Sequence, residues 1–475
     1  MIFTSPIGKG RERSERVRGY SLSIGAEPPH PRPSPKRGKG AEEHAGKFMS
    51  DMPFILPLSD PAATDPENVG PKAANLATLT QAGLPTPGGF SLTAEAYHYQ
   101  LRHLGIADMV AQYNEADQSA SRRLSITIRL ALHEQPIAPE ILDPLLAAWR
   151  AQCATGALGV VRSSALLEDR KGANFAGQFE SFLGLTIESE FLTAVRACWA
   201  ALWTSHARRY MENHELSPAD TAMGVLIQPL ISARASGGGL SETAEGHMLI
   251  SATWGLGSAI AQGEVVPDRI VLGKNGFLRT VEAGRKGHRD TCEHGVAAPQ
   301  LVPDDLVSEP CLTPGEAVTL GRLLRKCEQL AGSPVEIEWA MDESGFKLLQ
   351  SRPLHVKPAT VPDAIWLDHP GLNGHPAGIG WGSGRAVVVN CECELSRVGQ
   401  GDILVTRVAG PALSQILPRV AGVVAELGGS TSHLASLARE RGIPMVLGVL
   451  DATRKIPDGS QCAVDGVAGI VRWLR

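Results

Sequence analysis

Hydrophobic and polar positions change their period along the chain, and each change predicts a helix or a strand. Glu316–Leu330 carries apolar residues three and four positions apart, which is the spacing of an amphipathic helix. Thr313 is placed to cap its start and Gly332 to end it. Ala194–Tyr210 shows the same helical spacing. Short β-like runs predict strands at Met223–Ile227, His247–Ala252 and Arg269–Leu272.

Further apolar runs follow in the last third of the chain. Val335–Trp339 and Phe346–Gln350 are predicted strands, joined by a turn-forming Asp-Glu-Ser-Gly sequence. Later buried strands are predicted at Ile403–Val405, Gly422–Ala425, Pro444–Gly448 and Gln461–Val464, with one helix at His433–Arg441.

These elements predict an α+β multidomain protein. Residues 53–352 form a large body, 353–365 have the proline-containing composition of a stiff linker, and 366–475 form a small α/β domain. Residues 1–50 are rich in proline and charge and cannot bury enough apolar surface to offset the entropy cost of ordering. We expect that segment to be disordered or to be a misassigned N-terminal extension.

Composition and charge limit the kinds of partner that this protein is expected to bind. The 475 residues carry a net charge of -5, which offers no electrostatic basis for binding nucleic acid or an anionic membrane. No stretch approaches the roughly 20 consecutive apolar residues of a membrane span, and we expect a cytoplasmic protein. The eight cysteines lack the spacing of a disulfide framework. His288, Cys292 and His294 are residue types that bind metals, but their charged neighbours favour a polar surface loop.

The most informative segment is a glycine-rich turn leading into the helix at His433. Gly428 and Gly429 permit close backbone approach, and Ser432 is a suitable N-cap. His433 then lies in the first helical turn, where unpaired N–H groups and the helix dipole favour an anion. Neutral imidazole is a nucleophile, and a phosphoryl group on it would meet donors from Thr431 and Ser432. A lone histidine there more often caps or packs, so that alternative stays open on these residues alone.

Cationic side chains that could hold phosphates are spread along the body. Lys72 follows a glycine turn before a helix, where it could pair with a nucleotide phosphate as a point charge. Arg162 ends an apolar strand, where its guanidinium could bind phosphate oxygens through two N–H groups. Arg352 follows the predicted strand Phe346–Gln350 and would add another guanidinium.

Two carboxylates are predicted on one face of a strand. Glu336 and Glu338 alternate with apolar residues, so both side chains project to the same side. In a cleft they would repel each other unless a cation lies between them, and Mg²⁺ bound with ATP is such a cation. Gln350 would contribute a carbonyl oxygen from the paired strand. An exposed edge strand with a polar face is the alternative.

The sequence Gly428–Gly448, GGSTSHLASLARERGIPMVLG, closely resembles the phosphohistidine loop of phosphoenolpyruvate synthase and pyruvate phosphate dikinase. Upstream segments resemble the ATP-grasp domain of the same family, which implies an ATP-grasp-like body followed by a swivelling phosphohistidine domain. In the dikinases a threonine placed as Thr431 is the target of a regulatory kinase. By this resemblance the nucleotide and metal residues are Lys72, Arg162 and Arg352 for the phosphates, Gln228 beside the adenine, and Glu338 with Gln350 for Mg²⁺.

The resemblance also implies a reaction. His433 would attack the β-phosphate of ATP, with Arg162 assisting at the phosphates, AMP would leave, and loss of the outer phosphate would leave phospho-His433. Because the family's pyruvate-binding barrel would follow Arg475, we expect the acceptor, pyruvate, to be bound on a separate polypeptide, with a homodimer left open. A self-contained small-molecule kinase and a nucleotide-binding regulatory protein with a vestigial His433 are the alternatives.

Overall fold

The computed structural model describes residues 52–154, 156–168, 175, 179, 181–293, 296–354 and 369–474. The predicted extension at 1–50 lies outside these residues, and so does the predicted linker apart from its first two positions. None of the described helices is long and apolar enough to cross a membrane.

The described strands follow one another along the chain as β1 Ile55–Pro57, β2 Phe90–Leu92, β3 Gly159–Ala165, β4 Ser181–Leu185, β5 Met223–Pro229, β6 Ala235–Leu240, β7 Met248–Trp254, β8 Asp268–Leu272, β9 Leu278–Glu282, β10 His288–Glu293, β11 Val296–Leu301, β12 Val335–Asp342, β13 Gly345–Pro353, β14 Gly371–Asn373, β15 His375–Pro376, β16 Trp381–Val389, β17 Ile403–Thr406, β18 Gly422–Ala425, β19 Met445–Leu447, β20 Gln461–Asp465 and β21 Ile470–Trp473.

The described α-helices are α1 Pro66–Val69, α2 Pro71–Gln81, α3 Ala94–His103, α4 Ala107–Gln112, α5 Gln118–Glu134, α6 Pro139–Cys153, α7 Glu188–Ala201, α8 Ser205–Asn213, α9 Ser258–Ala261, α10 Pro314–Ala331, α11 His433–Arg441 and α12 Ala452–Lys455.

Two antiparallel sheets lie in the part of the described chain before residue 354. The first has the strand order β1-β2-β5-β3-β4, and the second has the order β13-β12-β6-β7-β8-β9. In the second sheet Glu336 lies opposite Arg352 and Glu338 lies opposite Gln350 across β12 and β13. Pairing of these strands therefore brings the predicted metal and phosphate residues together.

Helix α10 and the hairpin that follows it agree with the sequence prediction. Thr313 and Glu316 form a reciprocal capping box, and Gly332 ends the helix in a left-handed conformation with φ 69°. The apolar face of α10, including Leu320 and Leu324, is buried. Strands β12 and β13 extend a few residues beyond the predicted runs because the backbone pairing continues to the turn at 343–344.

A third sheet of eight strands contains the histidine helix. Its order is β14-β21-β20-β16-β17-β18-β19-β15, and β16, β17, β18 and β19 run parallel to one another. Helix α11 connects β18 to β19, so His433 lies beyond the carboxyl end of a parallel strand. That position is where α/β sheets generally bind ligands.

Three local predictions are corrected. Ala194–Tyr210 is divided between α7 and α8 instead of forming one helix, because the chain turns at 202–204. Arg162 lies in the middle of β3 and does not end a strand.

The segment around His288 is strand β10 of a two-stranded hairpin with β11, not a polar loop; His294 lies outside the described residues. Lys286, just before this hairpin, is fully buried in an ion pair with Asp268. Cys391 and Cys393 are joined by a disulfide that their spacing did not predict.

Candidate functional site

A cavity of about 340 Å³ collects the predicted nucleotide residues beside the predicted carrier histidine. Its wall comes from the start of α2, from strands β3, β5, β6, β12 and β13, and from the loop before α11. Eight of the predicted site residues line it, namely Lys72, Arg162, Gln228, Glu338, Gln350, Arg352, Thr431 and His433.

The other three predicted loop residues build the turn without lining the cavity. The Gly428 backbone N–H donates to the Val265 carbonyl over 3.0 Å, and its φ of 102° requires glycine. A Cβ on Gly429 would lie 2.4 Å from Cγ of Pro267. Ser432 is the N-cap of α11, and its hydroxyl accepts a hydrogen bond from the backbone N–H three residues later. These residues let the loop approach the segment that precedes β8.

Arg162 is the centre of one polar cluster. Its Nη2 donates to Glu338 Oε2 over 2.8 Å and to Gln350 Oε1 over 2.9 Å, and its Nη1 donates to the Leu349 carbonyl over 3.3 Å. Removal from water raises the pKa of Glu338, but the adjacent Arg162 outweighs this and holds the pKa at about 2. Glu338 is therefore ionised at any pH near neutrality.

Glu336 is the centre of a second cluster. One carboxylate oxygen lies 3.1 Å from Nη2 of Arg352 and 3.0 Å from Nη2 of Arg439. Burial raises the pKa of Glu336, but these two guanidinium groups outweigh burial and lower the pKa below its ordinary value. Each of the two carboxylates on β12 thus has an arginine beside it, so in the ligand-free protein guanidinium groups supply the cation that the sequence argument required.

Arg439 is the site residue that sequence reasoning missed. It lies in the last turn of α11, and its Nη1 donates to the carbonyl of Ser430 in the histidine loop. A local signal existed, because Arg439 continues the buried positions Ala435 and Ala438 at helical spacing. A basic residue on an otherwise apolar helix face indicates a buried charged partner, although it does not identify which one.

Lys72 is brought against β3 by a glycine turn. Gly70 has φ 79°, and a Cβ there would lie 2.2 Å from the Ser164 carbonyl oxygen. The Lys72 ammonium donates to the Ser163 carbonyl over 2.6 Å and lies 3.5 Å from a carboxylate oxygen of Glu168. Lys72 therefore sits at the cavity wall beside backbone and carboxylate oxygens.

His433 lies at the cavity as a neutral imidazole. Burial lowers its pKa, and the lowering by Arg352 and Arg162 is partly opposed by Glu338 and Glu336. The neighbouring Thr431 hydroxyl is buried and has no hydrogen-bond partner among the described residues. An unprotonated imidazole beside an unsatisfied hydroxyl suits a site that accepts an anionic group.

The oxygens at Glu338 and Gln350 fit a divalent cation. Both converge on one nitrogen of Arg162, which occupies the position of a bridging cation. Mg²⁺ prefers carboxylate and carbonyl oxygens of this kind. Glu338 and Gln350 would therefore hold the ion, whose chemistry is to neutralise negative charge on bound phosphates.

Comparison with known proteins agrees with this geometry. Residues 66–366 match the family described as pyruvate phosphate dikinase, AMP/ATP-binding domain, and residues 398–469 match the PEP-utilising enzyme, mobile domain. The probable phosphoenolpyruvate synthase of Methanothermobacter thermautotrophicus is 32% identical over 415 residues, covering 85% of this chain and 61% of that protein. The phosphoenolpyruvate synthase of Pyrococcus furiosus is 29% identical over 484 residues, covering 88% of this chain and 58% of that protein.

A bacterial relative shows the same relation. The phosphoenolpyruvate synthase of Neisseria meningitidis is 29% identical over 459 residues, covering 88% of this chain and 57% of that protein. The chain thus spans about three fifths of the length of the curated relatives named here. Since the first family match extends over more than half of the chain, the family expected from the histidine loop is confirmed. This protein belongs to the pyruvate phosphate dikinase and phosphoenolpyruvate synthase family.

Proposed function

We propose that this protein transfers a phosphoryl group from ATP to His433, releasing AMP, and that phospho-His433 then phosphorylates pyruvate. The observation that carries the proposal is the position of His433 on the same cavity as Lys72, Arg162 and Arg352. A nucleophile and three phosphate-binding cations in one cavity suit phosphoryl transfer, in which catalysis is mostly positioning and electrostatics. The names of the relatives support pyruvate as the acceptor.

The proposed first half-reaction balances as follows. An imidazole nitrogen of His433 bonds to the β-phosphorus of ATP, and the bond from that phosphorus to the α,β-bridging oxygen breaks, releasing AMP. The histidine then carries a pyrophosphoryl group. Water or inorganic phosphate attacks the outer phosphorus, which releases phosphate or pyrophosphate and leaves phospho-His433. Because the imidazole is already neutral, no base is needed to activate it.

In this proposal the cavity residues have two separate roles, phosphate binding and metal binding. Lys72, Arg162 and Arg352 bind the phosphates, while Glu338 and Gln350 hold Mg²⁺, which neutralises phosphate charge when it is bound. Arg162 must exchange Glu338 for phosphate when the nucleotide enters, since its guanidinium is engaged in the ligand-free arrangement. The placement of Gln228 beside the adenine stays a prediction, and so does the regulation of Thr431 by a kinase.

The acceptor step is proposed separately from the donor step. Pyruvate follows from the relatives' names alone, and its binding on a separate polypeptide stays a prediction from the sequence. We propose that phospho-His433 reaches pyruvate after the small α/β domain that carries it moves away from the ATP cavity. Isolated phosphoprotein is incubated with pyruvate and assayed for phosphoenolpyruvate, and we expect transfer only when the separate polypeptide is added from a cell extract. Transfer to pyruvate by the isolated chain would place the acceptor site on this chain, and transfer of label to another small molecule would favour a self-contained kinase.

Labelling with [β-³²P]ATP tests the donor step. We expect label that is stable to base and lost in acid, as for a phosphoramidate, with AMP formed in equal amount. His433→Ala should abolish it, whereas the control His247→Ala, on a histidine outside the cavity, should not. If the protein binds ATP without acquiring label at any Mg²⁺ concentration, it acts as a nucleotide-binding regulatory protein and the proposal fails.

Two further variants test the assigned ATP residues. Glu338→Gln removes a proposed Mg²⁺ ligand, and Arg352→Ala removes a proposed phosphate contact, so each should abolish labelling of His433. Circular dichroism should show that both variants remain folded. Labelling at the wild-type rate in either would overturn that residue's assignment.

The pH dependence gives an independent check. Burial lowers the pKa of His433 below its ordinary 6.5, so the reactive neutral form persists to lower pH. The initial labelling rate should stay level as pH falls through 6.5 and decline only below it. A decline centred above 6.5 would contradict a neutral His433 nucleophile.

A further inference from the structure

We propose that Glu264, His288 and Asp290 form a binding site for a divalent transition-metal ion, with Zn²⁺ the ion that suits them best. One imidazole nitrogen and two carboxylate oxygens, one from each residue, all lie within 4.8 Å of one another. This group, called here the hairpin site, contributes no residue to the lining of the ATP cavity, and it does not depend on the proposed function.

Local structure explains why the three side chains meet. His288 and Asp290 are two positions apart on β10, so their side chains project from the same face of the strand. Glu264 comes from the segment between α9 and β8 and faces them. The hairpin site therefore joins two segments of chain that are separated by more than twenty residues.

The distances suit a small ion. Nε2 of His288 and Oε2 of Glu264 are 3.3 Å apart. A tetrahedral ion with ligand bonds of about 2.0–2.2 Å separates neighbouring ligand atoms by about 3.3–3.6 Å. The pair thus has the spacing of two ligands on one ion, and a carboxylate oxygen of Asp290 lies within 4.8 Å of both atoms.

Asp290 is also oriented by partners that are not ligands. The Ser258 hydroxyl donates to Oδ2 of Asp290, and the Leu256 backbone N–H donates to the Asp290 carbonyl over 2.9 Å. Ligating carboxylates are commonly held by such hydrogen bonds, which fix their direction toward the ion. Ser258 and Leu256 line the ATP cavity, so the hairpin site lies directly behind its wall.

The ligand types decide which ion is expected. Mg²⁺ and Ca²⁺ prefer all-oxygen sites, whereas an imidazole with two carboxylates suits Zn²⁺ and its neighbours in the first transition row. Three protein ligands leave one coordination position open. The side chains of His288 and Glu264 are 29% and 42% exposed, so solvent can reach that position.

Zinc titration of the full chain tests the proposal. Protein freed of metal with EDTA is titrated calorimetrically with ZnCl₂ in excess Mg²⁺, which saturates sites made only of oxygen. We expect one Zn²⁺ per chain, with affinity at least tenfold weaker in His288→Ala and in Glu264→Gln. His247→Ala is the matched control, because Nδ1 of His247 lies 3.4 Å from Oε2 of Glu245 in a similar pair that has no third ligand among the described residues.

A Co²⁺ spectrum gives a second readout. Co²⁺ bound at the hairpin site should produce visible absorption that His288→Ala removes and that Cys292→Ala retains. If the chain takes up no Zn²⁺, or if His288→Ala binds it as tightly as the wild type, the cluster is an ordinary ion pair and the proposal is wrong. Loss of binding in Cys292→Ala alone would place the ion on the thiol and would also overturn it.

Discussion

Replacing Gly238 by alanine should separate ATP binding from phosphorylation of His433. Gly238 lies on β6, and its backbone carbonyl accepts a hydrogen bond from the Trp339 indole over 3.2 Å. A Cβ at this position would lie 2.6 Å from Cβ and 2.7 Å from Cγ2 of Thr431 in the histidine loop. The added methyl therefore meets the loop that must approach the nucleotide.

The size of the effect follows from these distances. Carbon atoms pack best at about 3.5–4.0 Å, so the histidine loop must retreat by about 1 Å. Overpacking of this kind costs about 1–3 kcal/mol. That penalty lowers the population of the state in which the histidine loop lies against β6, called here the docked state. The labelling rate of His433 should fall with it, by about 5- to 150-fold. The proposed contacts of Lys72 and Arg162 with ATP should be unchanged.

Single-turnover labelling and equilibrium binding of ATP, measured on the same samples, provide the assay. Gly239→Ala is the matched control, because the three atoms nearest to its Cβ would be side-chain atoms of Ile337 and Leu324, at 3.2–3.5 Å. Thr431→Gly removes the three atoms nearest to the new methyl of Gly238→Ala. Adding Gly238→Ala to the Thr431→Gly variant should therefore reduce the labelling rate less than adding Gly238→Ala to the wild type does.

Three outcomes would refute this reasoning. If His433 is labelled at the wild-type rate in Gly238→Ala, phosphorylation of His433 does not require the close approach of Thr431 to β6. If the affinity of Gly238→Ala for ATP falls as far as its labelling rate, the methyl acts on the nucleotide and not on docking. Absence of coupling between positions 238 and 431 would contradict a direct steric effect.

The remaining predictions concern the two charge clusters. Glu338→Gln removes a carboxylate that raises the pKa of His433, so this pKa should fall further, whereas Arg352→Ala removes a cation that lowers it, so the pKa should rise. NMR titration of ¹³C-labelled histidine measures both shifts, and shifts of the same sign would contradict the assignment. Glu336→Gln should lower the free energy of unfolding by about 3–5 kcal/mol, because it leaves buried guanidinium groups without a carboxylate. Glu282→Gln, in an exposed ion pair, should cost less than about 1 kcal/mol, and urea unfolding compares the two.

Elements with complete local signals were predictable from the sequence. Helix α10 carries its cap, its apolar face and its terminal glycine within one segment, and α11 does the same between Ser432 and Gly442. The apolar pattern did not predict where α7 ends. The helical spacing continues through 202–204 although the chain turns there, because tertiary packing decides where a helix stops.

The sequence selected residues that the fold brings around one cavity, but it did not predict the contacts between them. The resemblance selected eight residues that line one cavity, because each lies in a motif that survives in the sequence. The contact between Arg439 and Glu336 joins positions 103 residues apart, and no local pattern specifies such a pairing. The same holds for the buried pair of Lys286 with Asp268, since a lysine in a charged segment ordinarily predicts exposure.

The charge balance around the cavity supports the proposal that a metal binds with the nucleotide, although arginines already pair with the two carboxylates of β12. The groups concerned are the cations Lys72, Arg162, Arg352 and Arg439 and the carboxylates Glu168, Glu336 and Glu338. With His433 neutral, they leave one net positive charge, which is too little for a triphosphate. If Arg162 turns to phosphate in the proposed reaction, Glu338 would lose its partner, and an unpaired carboxylate in the cavity is unfavourable. Mg²⁺ held by Glu338 and Gln350 would restore that pairing, so in this proposal the carboxylate that pairs with the arginine before the nucleotide arrives would hold the metal afterwards.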